Sequence, residues 1–198
     1  MWLEFDRPEV LVAHLGMSGQ FKIQSSKVER EPHLRACFTL SNGKELRFVD
    51  QRTFGWLAVD QLINEVPGLV SHIAFDPFDP RFDKRATVSR ISKSRAQIKK
   101  VILDQSIVSG IGNIYADEAL WLTRLHYAQP ANRLASARAR ELLTNVQLVM
   151  TSALAQGGTS FDALYVNVNG ESGCFDVSLN AYGQQDQPCA RCGRLIVR

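Results

Sequence analysis

The chain has 198 residues and a formal charge of +3 at neutral pH, with 22% charged and 45% hydrophobic residues. That length holds one domain or two small ones with buried cores, and the composition is that of an ordinary globular protein. No apolar run approaches the roughly 20 residues of a membrane span, and the opening Met1-Trp2-Leu3-Glu4 lacks the basic-then-apolar layout of a secretory signal, so no membrane partner and a cytoplasmic location are expected. The small positive charge is a mild pointer to an anionic partner, because local clustering counts for more than the sum. Of the four cysteines, Cys37, Cys174, Cys189 and Cys192, the last two form a C-x-x-C. In a reducing compartment that spacing points to metal or redox chemistry more than to a structural disulfide.

In chain order, residues 10–15 are a short apolar run closed by Gly16 and by Ser18-Gly19. Leu34, Ala36, Phe38 and Leu40 alternate with Arg35, Cys37 and Thr39; after Asn42-Gly43, Leu46 and Phe48 alternate with Arg47 and Val49. Alternation on both sides of Asn-Gly predicts a hairpin, and the first third of the chain reads as antiparallel sheet. Residues 67–82, rich in Pro and Asp, read as a linker. Beyond it the period becomes helical: Ile98, Val101 and Ile102 share one face, as do Leu142, Val146, Val149 and Ala153. Between them lie Ser109-Gly110-Ile111-Gly112-Asn113 and a further helical stretch over 114–125. The predicted order is helix, glycine turn, helix, a turn at Pro130, and a helix ended by Gln156-Gly157-Gly158. Residues 166–183, rich in Asn, Gly and Ser, read as loop, and no internal repeat is present.

Several clusters could carry chemistry, and each has a plainer structural reading. The two glycines before Asn113 permit a tight turn, with Asn113 as N-cap of the next helix, whose free N–H groups suit a phosphate. Arg95, Lys99 and Lys100 add positive charge before it. Its plainer reading is a glycine corner between two helices. In Asp50-Gln51-Arg52-Thr53-Phe54-Gly55, an Arg and a Phe two apart after a strand could read base edges and wedge between bases. Met17, in His14-Leu15-Gly16-Met17-Ser18-Gly19, is a second candidate wedge. Taken alone, Met17 and Phe54 read more simply as core residues. Pro188-Cys189-Ala190-Arg191-Cys192-Gly193 has zinc-knuckle character, with the glycine permitting the turn that aims both sulfurs at one ion. It reads as half a zinc site, whose other two ligands are expected beyond Arg198. No Ser-His-Asp arrangement, H-E-x-x-H or phosphate-loop motif occurs. Asp104, Asp117 and Glu118 could pair for acid–base work, but read more simply as helix caps and surface charges; His72 and His126 read as ordinary histidines.

Taken together, these motifs resemble the formamidopyrimidine-DNA glycosylase family. The resemblance is carried by the segments from His14 and from Asp50, then Asp104-Gln105, Val108-Ser109-Gly110-Ile111-Gly112-Asn113-Ile114-Tyr115-Ala116-Asp117-Glu118, Gln156-Gly157-Gly158-Thr159, and Tyr182-Gly183 before Pro188-Cys189. They occur in the order found in the bacterial members, over nearly the whole chain, and the wording from Ser160 to Gly173 is similar to actinobacterial ones. The resemblance implies an α+β multidomain protein: an incomplete antiparallel β-sandwich (residues 1–75), a linker (76–90), a helix-two-turn-helix DNA-binding domain (91–158), a lesion-capping loop region (159–183) and the first half of a zinc finger (184–198). It implies double-stranded DNA containing oxidised bases as partner, a monomer, and zinc held in part by Cys189 and Cys192. Met17, Arg52 and Phe54 would fill the gap left by a flipped-out nucleotide, with Arg52 facing the orphaned cytosine. This set is similar to that of the branch acting on oxidised purines, 8-oxoguanine and formamidopyrimidines. His14, His33, Asn113 and Tyr182 would hold DNA, mostly at phosphates, and residues 166–175 would close over the flipped base.

The chain departs from the family at its ends. The family nucleophile is the amine of an N-terminal proline followed by glutamate, which attacks the sugar and forms an iminium that permits strand scission; here residue 2 is Trp2, and Pro8-Glu9 offers no terminal amine. No catalytic residue is therefore assigned. The family's first helix, a phosphate-binding lysine and the second Cys pair have no counterpart here, and Lys93-Ser94 stands where a lysine run is frequent. The expectation is a chain truncated at both ends and inactive in cleavage, from a parent with glycosylase and AP lyase activity. A non-catalytic damaged-DNA-binding remnant is the alternative. A small zinc-stabilised interaction protein is a third reading, which salt-insensitive or absent DNA binding would favour.

Overall fold

The computed structural model describes residues 1–158 and 179–197. The chain divides into two compact units, Met1–Ser71 with Gln156–Asp176, and His72–Ala155 with Val177–Arg198.

The first unit is antiparallel throughout. One sheet runs in the order β1 (Trp2–Glu4), β2 (Glu9–His14), β6 (Trp56–Ile63), β7 (Val66–Pro67), and the other in the order β3 (Gly19–Ser25), β5 (Lys44–Asp50), β4 (Leu34–Thr39). The expected Asn42-Gly43 hairpin joins β4 to β5, with Cys37 opposite Arg47 and Phe38 opposite Leu46; the Asn42 side chain accepts the Lys44 N–H at 3.0 Å, closing the turn locally. Ala13 and Leu57 from the first sheet meet Phe21, Ala36, Leu46 and Phe48 from the second in one apolar cluster. The alternation read in the sequence thus turns the Ala36, Leu46 and Phe48 face of the second sheet inward. The other side of β5 buries a charge. Arg47 has no exposed surface and donates to Glu45 at 2.8 Å, to the carbonyls of Val28 and Glu29 at 2.7 and 2.9 Å, and to Glu31 at 3.2 Å. The arginine fork thereby holds the loop leading to His33.

The second unit is helical: α1 (Lys84–Lys93), α2 (Ile98–Leu103), α3 (Asn113–Thr123) and α4 (Ser136–Ala155). Helices α2 and α4 bury their predicted faces, Ile98, Val101 and Ile102 and Leu142, Val146, Val149 and Ala153, and α3 lies in the predicted helical stretch and buries Ala116 and Leu120. The first differs from expectation: residues 84–90, expected in the linker, are helical. Helix α1 carries only Val88 and Ile91 as buried apolar residues, too few to show a helical period. Asp83 starts it, accepting the Ala86 N–H at 2.9 Å.

Candidate nucleic-acid interface

In the first unit, two strand-end loops bring forward the side chains singled out in the sequence. Met17 and Phe54 are 55% and 59% exposed, so the simpler reading of both as core residues is overturned. Large apolar side chains held in solvent at a loop tip contribute little to folding and are available to a ligand. The loops are packed backbone to backbone. Gly16 has φ +61, and a Cβ there would lie 2.8 Å from the Phe54 carbonyl carbon, so this approach requires glycine. The Arg52 guanidinium reaches Met17 Sδ at 3.8 Å, which places two of the three expected wedge residues side by side.

Beneath them lies Asp50, 1% exposed. It accepts the Ser18 hydroxyl at 2.5 Å and the Gly55 N–H at 2.8 Å. Burial works against its ionisation, but the Ser18 hydroxyl and the N–H groups of Gly55, Arg52 and Thr53 outweigh it and hold the carboxyl below its usual range. Its place in the motif marked Asp50 in the sequence, but its role depends on Ser18, 32 residues away. His14 is exposed at the end of β2 and its ring stacks on Trp56 at 5.9 Å. Its Nδ1 accepts the Gly16 N–H at 3.1 Å. That bond uses Nδ1 as acceptor, so in the neutral ring Nε2 carries the proton and can donate outward. His33 is half-buried, and its carbonyl accepts the Asp50 N–H at 2.9 Å.

In the second unit, the glycine loop is stitched by one side chain. The Gln105 amide donates to the carbonyls of Leu103 and Ile111 at 2.9 and 3.1 Å and accepts the Gly110 N–H at 2.9 Å. Asn113 is not the N-cap expected of it. Gly112 takes that position and no side chain caps α3, because the chain enters the helix one residue earlier than the polar residue. Asn113 is exposed in the first turn of α3. Of the basic residues expected nearby, Lys99 is engaged by Asp117 at 2.7 Å.

Five residues along α3, Glu118 is 3% exposed and accepts the N–H groups of Asn180, Ala181 and Tyr182 at 3.0, 2.7 and 3.0 Å. The plainer reading of Glu118 as structural holds, although it anchors a distant segment instead of decorating the helix. Asp104 caps its own turn through the Ser106 N–H at 2.9 Å. By this anchor Tyr182, half-buried, is tied to the helix that begins at Asn113. Residues 188–195 then form a tight hairpin, with Cys189 N–H bonded to the Arg194 carbonyl at 2.7 Å and Gly193 at φ +70. The Trp121 indole N–H lies 3.4 Å from Cys189 Sγ, and with the N–H groups of Arg191 and Cys192 lowers that thiol to about 7. The Arg191 guanidinium covers the Trp121 ring at 3.9 Å. Among the described residues no group of three or more metal-binding side chains occurs, so Cys189 and Cys192 stand as a pair; Cys174 and the expected capping loop at 166–175 lie outside the described residues.

Models of the formamidopyrimidine-DNA glycosylase N-terminal domain and of the formamidopyrimidine-DNA glycosylase H2TH domain match residues 1–57 and 73–164. The formamidopyrimidine-DNA glycosylase of Thermobifida fusca is 53% identical over the whole of this chain, which spans 71% of its length. The chain belongs to the formamidopyrimidine-DNA glycosylase family. The structure of the MutM (Fpg) protein from Thermus thermophilus is similar with a TM-score of 0.83 at 34% identity, covering 98% of this chain and 71% of that one. A Lactococcus lactis Fpg mutant in complex with Fapy-dG-containing DNA is similar with a TM-score of 0.83 at 28% identity, covering 96% of this chain and 69% of that one. The expected helix-two-turn-helix domain is present, within residues 73–164. No described helix is long and apolar enough to cross a membrane.

Proposed function

We propose that this family member recognises oxidised purines, 8-oxoguanine and formamidopyrimidines, in duplex DNA for base excision, as a monomer. The observation that carries the reading is the exposed Met17, Arg52 and Phe54 set on two interlocked loops. Flipping a nucleotide out of the stack costs a few kcal/mol, and side chains that occupy the hole recover part of that cost. Met17 and Phe54 supply apolar surface to the neighbouring bases, and Arg52 supplies a planar donor fork to the cytosine left behind. His14, His33, Asn113 and Tyr182 hold DNA mostly at phosphates, with Asn113 at the positive end of the α3 dipole.

Glycosylase and AP lyase chemistry is proposed to follow the family's route, attack on the sugar by the amine of a terminal proline, and no described residue is assigned as that nucleophile. Cys189 and Cys192 are proposed to supply two of four thiolate ligands to a structural zinc ion, the others coming from outside the described residues. The hairpin fits that role, because N–H groups already point at Cys189 Sγ, as they do around a coordinated thiolate. Zinc would there cross-link the hairpin.

The test is fluorescence anisotropy with duplexes that carry a tetrahydrofuran abasic analogue or are undamaged, over a range of salt. Tighter binding to the gapped duplex and a steep fall with salt are expected. Equal, salt-insensitive binding to both duplexes overturns the recognition reading.

A further inference from the structure

Asp50 is buried, and its carboxylate bonds to groups on both loops that carry the wedge side chains. Oδ1 accepts the Ser18 hydroxyl at 2.5 Å and Oδ2 the Gly55 N–H at 2.8 Å. The N–H groups of Arg52 and Thr53 also point to this carboxylate. Ser18 Oγ in turn accepts the Arg52 N–H at 2.9 Å. One hydroxyl thus donates to Asp50 and accepts from Arg52, so it bridges the loop of Met17 to the loop of Arg52. Thr53 sits between Arg52 and Phe54 at φ +56, a backbone conformation that a β-branched residue keeps only where its surroundings over-determine it. The converging bonds to Asp50 and the Gly16 approach provide that determination.

We propose that Asp50, acting through Ser18, is a positioning residue that sets the two loops in one register, so that Arg52 reads the base opposite the lesion. This rests on the wedge reading of Met17, Arg52 and Phe54. A planar fork discriminates between bases only when held to within a fraction of an ångström of its acceptors. An apolar residue at position 50 would serve packing equally well but would leave the loop N–H groups undirected.

The experiment compares the chain with Asp50→Asn and Ser18→Ala variants. Anisotropy is read on duplexes with the tetrahydrofuran analogue opposite cytosine or adenine, and on undamaged duplex across salt. The unmodified chain is expected to prefer the gap, and cytosine over adenine; without that preference the wedge reading and this proposal both fall. With it, each variant is expected to lose about tenfold in the cytosine-over-adenine ratio, while undamaged-duplex affinity and its salt slope stay unchanged. A ratio preserved in the variants overturns the positioning role and leaves the wedge reading standing. Equal losses on all three duplexes assign Asp50 to stability alone and overturn the proposal as well. If circular dichroism shows Asp50→Asn unfolded, Ser18→Ala, which keeps the carboxylate and removes the bridge, decides by the same ratio.

Discussion

Glu118 accepts the backbone N–H of Ala181 at 2.7 Å across 63 residues of chain. The two neighbouring N–H groups, of Asn180 and Tyr182, converge on the same carboxylate at 3.0 Å. A helix side chain with almost no exposed surface thereby specifies the path of an irregular segment that has no ladder of its own. It also determines where Tyr182 stands relative to α3.

Removing that acceptor is costly, because three backbone donors lose their partner at once. Glu118→Ala is expected to destabilise the second unit by about 3 kcal/mol, the scale of buried polar groups left unpaired. Urea denaturation measures the loss, and amide hydrogen exchange locates it. Exchange at residues 180–182 should accelerate far more than exchange in α4; uniform acceleration would mean that Glu118 serves the whole unit and not this anchor.

Exposure separates the wedge side chains from the core. Truncating Phe54 or Met17 to alanine is expected to change stability by less than about 0.5 kcal/mol, as at other exposed positions. Binding to the gapped duplex should nevertheless weaken about tenfold for Phe54→Ala, since stacking of a base on an aromatic ring contributes on the order of 1–3 kcal/mol. Denaturation midpoints and anisotropy on the same preparations check both halves. A large loss of stability would return these residues to the core.

Acid should destabilise the fold in a defined window. The folded Asp50 carboxyl lies below its ordinary 3.8. Asp79, paired with the Arg81 side chain and accepting its N–H, is lowered to about 2. Carboxyls lowered on folding contribute fully above their unfolded values, and the contribution is lost as pH falls through the folded ones. Thermal midpoints are therefore expected to hold down to about pH 4 and to fall between about pH 4 and 2. Asp50→Asn should flatten the upper part of that fall, and an unchanged profile would deny Asp50 a part in it.

The Trp121 indole next to Cys189 provides a reporter for metal. Adding zinc should change the Trp121 emission and release protons as thiols ionise. Cys189→Ser and Cys192→Ser should each abolish the change, and Trp121→Phe should remove the signal while leaving proton release. Zinc uptake that survives both serine variants would place the metal elsewhere.

Local pattern was enough for much of this protein. Alternation around Asn42-Gly43 located the β4–β5 hairpin, and the spacing of Ile98, Val101 and Ile102 located α2. The His14, Asp50 and Ser109 segments, in their order, named the family that the relatives then showed. These features are legible because periodicity, turn chemistry and motif order are properties of neighbouring residues. Helix α1 is illegible in the sequence for the same reason: two buried apolar residues in ten carry no period, and its start depends on the Asp83 cap.

What the tertiary structure alone decided is the use made of charge and exposure. No local pattern distinguishes Arg47, buried among Glu45, Glu31 and two carbonyls, from an outward-facing strand arginine. Nor does any local pattern show that Met17 and Phe54 stay in solvent, that Gly112 displaces Asn113 from the cap, or that Asp50 and Glu118 have partners 32 and 63 residues away. A buried charge or an exposed ring takes its role from the groups around it. Those groups are brought together only when strands pair and helices pack.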